Sequence, residues 1–176
     1  MLLKSDLVEV RLFRADDIEN KIKWINDPDN NEFLHYDIPL VYDKTLEWYN
    51  NKNNSTRLDC LIEYDQIPVG LIGLLGIDHS NKKAEFYISM GETSFKRKGI
   101  ATVSSKLILE YAFNELLLNK VYLNVDSENV IACKLYEKIG FVCEGEFIED
   151  LFHKGKFINR KRYAILKKMF LSLGEI

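Results

Sequence analysis

The chain has 176 residues, 47% of them hydrophobic and 29% charged, with a formal net charge of −3 at pH 7. This is the composition of a folded globular chain, and the charge argues against duplex nucleic acid as the main partner, because such domains carry a basic excess. No apolar run is long enough to span a bilayer, and Lys4, Asp6 and Glu9 interrupt the opening MLLKSDLVEV, so no signal-peptide core is expected and the expected location is the cytoplasm.

In chain order, residues 7–13 (LVEVRLF) alternate apolar and polar and predict a strand. Residues 15–24 predict a helix, and NDPDNNEF then reads as turn chemistry around Pro28. A second short helix through Trp48, Tyr49 and Asn50 is expected with Asp43 or Thr45 as its cap, followed by a polar loop over residues 50–55. Three strands come next, at 59–64, 69–77 and 84–90, joined by short polar turns that suit antiparallel neighbours. A long helix (about 99–116), a strand (120–125), a shorter helix (about 130–138) and strands at 141–147 and 157–166 complete the chain. The pattern predicts one α+β (mixed α/β) domain over 1–176, with a sheet of about seven mostly antiparallel strands and helices on its faces.

The three cysteines, Cys60, Cys133 and Cys143, show no CxxC spacing and read as reduced, buried small hydrophobes. His35, His79 and His153 are scattered and match no metal-ligand spacing, so no metal is expected.

The stretch SFKRKGIATVSSKLILEYAF (94–113) runs a basic, glycine-containing turn into a helix whose expected core stripe is Ile100, Val103, Leu107 and Tyr111. Free N–H groups and the positive end of the helix dipole make such a terminus an anion site, and Lys96, Arg97 and Lys98 add charge beside it. A plain capped helix with a solvated basic loop is the other reading. There is no GxxxxGK[ST] and no GxGxxG after the first strand. In NVDSENVIACKLYEKIGF (124–141), capping accounts for Asn129 and Gly140, with Ala132 and Leu135 facing inward; capping does not account for Tyr136.

The ordered pair KRKGIA and N..A..LYEKIGF resembles the GNAT superfamily of acetyl-CoA-dependent N-acetyltransferases, and the order of elements matches that family from about residue 7 to 166. The first segment resembles the family's pyrophosphate loop, Q/R-x-x-G-x-G/A. Lys96 stands where Gln or Arg is usual, which keeps the charge but not the planar bidentate geometry. The resemblance implies acetyl-CoA as donor, with its pyrophosphate held by Lys96, Arg97, Lys98, Gly99, Ile100, Ala101 and Thr102, and with Asn129 also on the cofactor side. It implies a gap where the parallel strands 84–90 and 120–125 splay, and pairing of the backbone of Ile88, Ser89 and Met90 with the pantetheine arm. On this reading residues 15–50 are the acceptor side, 59–147 the cofactor-binding core, and 157–166 the closing strand.

An amine must lose its proton before it can attack a thioester, and the leaving thiolate needs a proton or a hydrogen bond. The resemblance implies Tyr136 as general acid toward the sulfur and Glu85 as candidate base; the alternatives are a packing aromatic and an exposed strand carboxylate. The motifs WxNDP and AEFYISMGE resemble a branch whose members act on ribosomal-protein N-termini, polyamines and amino sugars of nucleotide-linked glycans. Asp27, Asp29, Glu32, Asp37, Asp43 and Glu47, with nearby aromatics, would form a rim suited to a cationic amine, or else a solvated helix-loop-helix. The expected acceptor is a small-molecule amine, an amino-sugar nucleotide or a polyamine, with a protein N-terminus as the alternative. A non-catalytic acyl-CoA-binding domain is the alternative of another class. Association as a homodimer through a sheet edge or the C-terminal strands is a further expectation.

Overall fold

A computed structural model describes residues 2–173. Two compact units form: the first takes the chain through Leu75 together with Tyr87–Ile108, the second Gly76–Phe86 together with the chain from Leu109 on. The chain is a mixed α/β fold with eight strands among the described residues, one more than expected from the sequence, and one parallel pair.

In the first unit β1 (Leu2–Ser5) is the strand the sequence did not announce; it pairs antiparallel with β2 (Val8–Leu12). Its four residues are exposed or half-buried, so no alternation betrays them. β2 pairs antiparallel with β3 (Leu58–Tyr64), and β3 with β4 (Ile67–Asp78), whose Val69–Leu74 stretch is buried. β5 (Lys83–Met90) follows β4 in the strand order.

A 3₁₀ turn at Ala15–Asp17 leads into α1 (Ile18–Asn26). Asp17 is fixed there by a two-pronged pair from Arg11 (2.7 and 2.8 Å) and by the Arg14 N–H (2.7 Å). α1 lays Ile18, Trp24 and Ile25 against Phe13, Leu61 and Leu71 to make this unit's core. The NDPDNNEF stretch is not only a turn: Pro28–Asn31 forms a single-turn helix, α2. Asp27 caps it by accepting from the Asp29 N–H at 3.0 Å, and Pro28 sits at the first helical position, where its missing N–H costs nothing. α3 (Tyr42–Asn51) starts at Val41 without a side-chain cap. The hydroxyl of Thr45, one of the two expected caps, donates back to the Val41 carbonyl at 2.9 Å instead.

In the second unit β5 and β6 (Lys120–Asp126) are parallel, as expected, through Lys83↔Lys120, Ala84↔Val121 and Glu85↔Tyr122. β6 pairs antiparallel with β8 (Lys156–Leu166), and β8 with β7 (Val142–His153), which runs well past the expected end at 147. α4 (Ile100–Asn114) carries the chain from the first unit into the second, α5 is Val130–Ile139 and α6 is Lys167–Ser172.

Two helix faces differ from expectation. On α4 the buried positions are Ile100, Ser104, Ser105, Ile108, Leu109, Ala112 and Phe113, while Val103, Leu107 and Tyr111 are half-buried. The two serines escape a pattern built on apolar residues because their hydroxyls return to the helix, Ser104 to Ile100 O (2.9 Å) and Ser105 to Ala101 O (2.6 Å). On α5 the inward residues are Cys133, Tyr136 and Ile139, not Ala132 and Leu135. Cys60 and Cys133 are buried as expected, but Cys143 is exposed on β7, in a strand open along almost its whole length.

Candidate active site

The loop leaving β5 is held by the first two helices. Gly91 is buried against Trp24, and a Cβ there would come within 2.1 Å of the indole. The Trp24 indole N–H donates to Glu92 Oε1 at 2.8 Å, and Lys23 donates to the same oxygen at 2.5 Å. These bonds hold the Glu92 carboxyl below its ordinary pKa, Lys23 contributing most and Trp24 next. Asn30 of α2 donates to the Gly91 carbonyl (2.8 Å) and accepts from Lys96 Nζ (3.0 Å). Asn26 clamps Leu40 by donating to its carbonyl (2.9 Å) and accepting from its N–H (2.7 Å). In WINDP, then, Trp24, Asn26, Asp27 and Pro28 each have a local structural task. The sequence carried no sign that Asn30 supports the basic loop.

Arg97 (φ +66°) and Gly99 (φ +78°) are both left-handed, and together they turn the chain into α4. A Cβ at Gly99 would meet no protein atom within 4 Å, so the glycine answers the backbone angle, not local crowding. Gly99 O accepts from the Val103 N–H at 3.1 Å, which leaves the N–H groups of Ile100, Ala101 and Thr102 without acceptors inside the helix. Lys96, Arg97, Lys98 and Gly99 are exposed. Lys98 Nζ lies 4.7 Å from the Phe95 ring and 5.7 Å from that of Tyr64. Free donors, a helix dipole and three cations suit a polyphosphate.

The first unit also encloses a cavity of about 170 Å³. Phe13, Trp48, Tyr36 and Tyr87 wall it, Lys21, Arg57 and Asp59 give it charge, and Ile88 and Ser89 of β5 lie on its lining. Asp59 is saturated: Arg57 grips both its oxygens at 2.8 Å, Tyr87 donates at 2.9 Å and Lys52 at 3.4 Å. Burial pushes the Asp59 pKa up, but the Arg57 hydrogen bonds and charge, with Tyr87 and Lys52, outweigh it and hold the carboxyl below its ordinary value. Tyr87 is pushed well above the ordinary tyrosine value, first by burial and then by the Asp59 charge. Lys21 is only 8% exposed, and its ammonium sits 3.5 Å above the Trp48 ring. Burial draws its pKa down to about 8, although Asp59 acts in the opposite sense. None of the six carboxylates expected to form an acidic rim lines this cavity. Asp29, Glu32, Asp37, Asp43 and Glu47 are exposed, and Asp27 is spent on capping α2.

In the second unit Glu85 is half-buried and accepts from Asn124 Nδ2 of β6 at 3.0 Å. Its neighbour Phe86 points to the opposite face of β5, where Tyr136 stacks edge-on against it with ring centres 6.4 Å apart. Phe141 and Tyr163 complete the Tyr136 surroundings at 5.9 and 6.2 Å. Burial raises the Tyr136 pKa, and its hydroxyl makes no hydrogen bond among the described residues. Glu85 and Tyr136 therefore belong to opposite faces of β5. Asn129 caps α5 by accepting from the Ala132 N–H at 3.1 Å, and Gly140 ends it at φ +111°.

Comparison with known proteins gives consistent matches. The sequence profile of the acetyltransferase (GNAT) domain matches residues 8–142. The spermidine N(1)-acetyltransferase of Escherichia coli (strain K12) is 30% identical over 170 residues, which is 94% of this chain and 89% of that protein. A putative ribosomal N-acetyltransferase of Bacillus subtilis is 30% identical over 130 residues, covering 73% and 70% of the two chains. The crystal structure of spermidine N-acetyltransferase from Vibrio cholerae in complex with CoA and spermine superposes with a TM-score of 0.87 at 29% identity, covering 95% of this chain and 99% of that one.

Proposed function

Because the chain belongs to the GNAT acetyltransferase domain family and is an acetyl-CoA-dependent N-acetyltransferase of small-molecule amines, we propose that the cavity of the first unit receives the acceptor and that residues 96–102 hold the pyrophosphate of the donor. The observation that carries this reading is the lining of the cavity. Ile88 and Ser89 belong to the strand assigned to the pantetheine arm, and they border the same enclosed space as Lys21, Arg57 and Asp59.

In this reading the free N–H groups of Ile100, Ala101 and Thr102 take phosphate oxygens, and Lys96, Arg97 and Lys98 draw the anion in. Lys96 is oriented by Asn30. Acetyl-CoA supplies the thioester. Glu85, held by Asn124, removes the ammonium proton directly or through water. Tyr136 keeps its proton because burial raises its pKa, and its unengaged hydroxyl is free to donate to the sulfur.

Two acceptor classes each have an observation behind them. The polyamine reading rests on the spermidine acetyltransferases to which this chain is 30% identical. The amino-sugar nucleotide reading rests on the cavity, where Lys21 and Arg57 face a single carboxylate that already has four partner contacts. A polycation would meet net positive charge there, and we favour the second class on that ground. A panel of spermidine, an amino-sugar nucleotide and a short peptide, followed by free-thiol release, decides between them. The amino-sugar nucleotide is expected to have the highest kcat/KM. Preference for spermidine would overturn the choice of class.

A further inference from the structure

Lys21 is a charged group of the cavity to which the proposed chemistry gives no role, and its environment is specific. It is 8% exposed and makes no hydrogen bond or ion pair among the described residues. Its contacts are aromatic: Trp48 at 3.5 Å, Tyr36 at 5.7 Å and Phe13 at 5.9 Å from ring centre to Nζ. Cation–π attraction offsets part of the desolvation of a buried ammonium, but it supplies no counter-charge.

The groups facing it come from several elements. Arg57 immediately precedes β3 and Asp59 lies at its start, Lys52 follows α3, Tyr36 belongs to the α2–α3 connection and Tyr87 to β5. Arg57 and Lys52 stand 5.3 and 5.7 Å from the same Trp48 ring. Three cations thus surround one indole, with Asp59 the sole carboxylate facing them among the described residues, and the Asp59 oxygens are taken by Arg57, Tyr87 and Lys52. What the enclosed cluster lacks is an anion.

We infer that Lys21 determines acceptor specificity by taking an anionic oxygen, carboxylate or phosphate, carried by the acceptor amine. The inference rests on the reading that the cavity receives the acceptor. The volume, about 170 Å³, is close to that of an engineered cavity of about 150 Å³ that holds benzene, so the cavity takes only the amine-bearing end of a larger acceptor such as an amino-sugar nucleotide, and the acid that meets Lys21 lies a few bonds from the amine. The class is an amine with an acid group close to it, not a polycation. An anion beside Lys21 supplies the missing counter-charge and favours the charged ammonium, so the preference weakens as pH rises through about 8.

Two measurements on the full chain test this. The first compares matched acceptors, γ-aminobutyrate against butylamine and glucosamine phosphate against glucosamine, which separates carboxylate from phosphate. The acid-bearing member of at least one pair is expected to have about tenfold or higher kcat/KM. Lys21→Met removes that preference through KM, and Lys21→Arg retains it. A preference unchanged in Lys21→Met, or acid-free amines favoured by the natural protein, overturns the assignment. The second titrates inorganic phosphate and acetate calorimetrically against the natural protein and Lys21→Met, both saturated with CoA so that residues 96–102 are occupied, at pH 7 and pH 9. Weaker binding in Lys21→Met and at the higher pH is expected, and equal binding by both proteins overturns the inference. If anion binding depends on Lys21 while no amine is acetylated, the acceptor reading fails and Lys21 remains an anion site. If amines are acetylated without preference for the acid, acetyl transfer stands and the role of Lys21 falls.

Discussion

Asn124 on β6 donates its side-chain amide to Glu85 on β5 at 3.0 Å, joining the two strands of the only parallel pair among the ladders described. The bond fixes the direction of a half-buried carboxylate without neutralising its charge. Glu85→Gln keeps an acceptor for Asn124, so folding should be little changed. kcat is expected to fall about tenfold to a hundredfold with the KM for acetyl-CoA little changed, read by steady-state kinetics. An unchanged kcat would hand the base role to another group or to water.

Tyr136→Phe removes a hydroxyl with no hydrogen-bond partner among the described residues and leaves the ring contacts with Phe86, Phe141 and Tyr163 in place. Stability is expected to change by less than about 1 kcal/mol. kcat should fall far more than the KM for acetyl-CoA rises. Steady-state kinetics beside a thermal melt separates the two effects, and an unchanged kcat would leave Tyr136 a packing residue.

Gly99 separates backbone from space. Since a Cβ meets no protein atom but φ is +78°, Gly99→Ala is expected to cost about 1–2 kcal/mol of strain, and Gly99→Asn less, because Asn visits this region more readily. Both place a side chain where a ligand would approach the helix terminus. Calorimetric titration with CoA should show weakened binding for both. Normal affinity in Gly99→Asn would remove the pyrophosphate assignment.

Lys21 gives a stability prediction with a definite sign. Its pKa falls from an ordinary 10.5 to about 8 on folding, so between these values the unfolded chain holds the proton and the folded one does not. Stability gains from raising pH across that window, and below about pH 8 the full destabilisation is present. Relative to Lys21→Met, the natural protein should gain about 3 kcal/mol between pH 8 and 10.5. Urea unfolding of both proteins across that range measures the difference, and parallel curves would contradict it.

Asp59 is the hub that orders Arg57, Lys52 and Tyr87. Asp59→Ala leaves buried cations unpaired, and a loss of about 3–5 kcal/mol is expected by urea unfolding. Because its folded pKa is depressed, its contribution is present above the ordinary carboxylate value and is lost as pH falls through the folded pKa.

Much of this was legible in the chain because it is local. Strand alternation, helix periodicity and glycine punctuation depend on neighbours within a few residues, so β2–β6, α4, α5 and the KRKGIA and LYEKIGF motifs could be read directly. A one-turn helix such as α2 carries too few residues for a periodic signal, and β1 buries too little to show alternation. The cavity could not be read at all. Lys21, Trp48, Arg57, Asp59 and Tyr87 lie up to 66 positions apart and meet only when α1, α3, β3 and β5 pack together. Sequence favoured the six carboxylates at 27–47 because charge is visible in a string of letters, whereas burial is not. The sequence by itself determined the family, and with it acetyl-CoA as donor, because KRKGIA and LYEKIGF are contiguous stretches whose order and spacing do not depend on tertiary packing. Tertiary packing alone decided the charge that lines the cavity of the first unit, because desolvation and pairing depend on which distant side chains share one space.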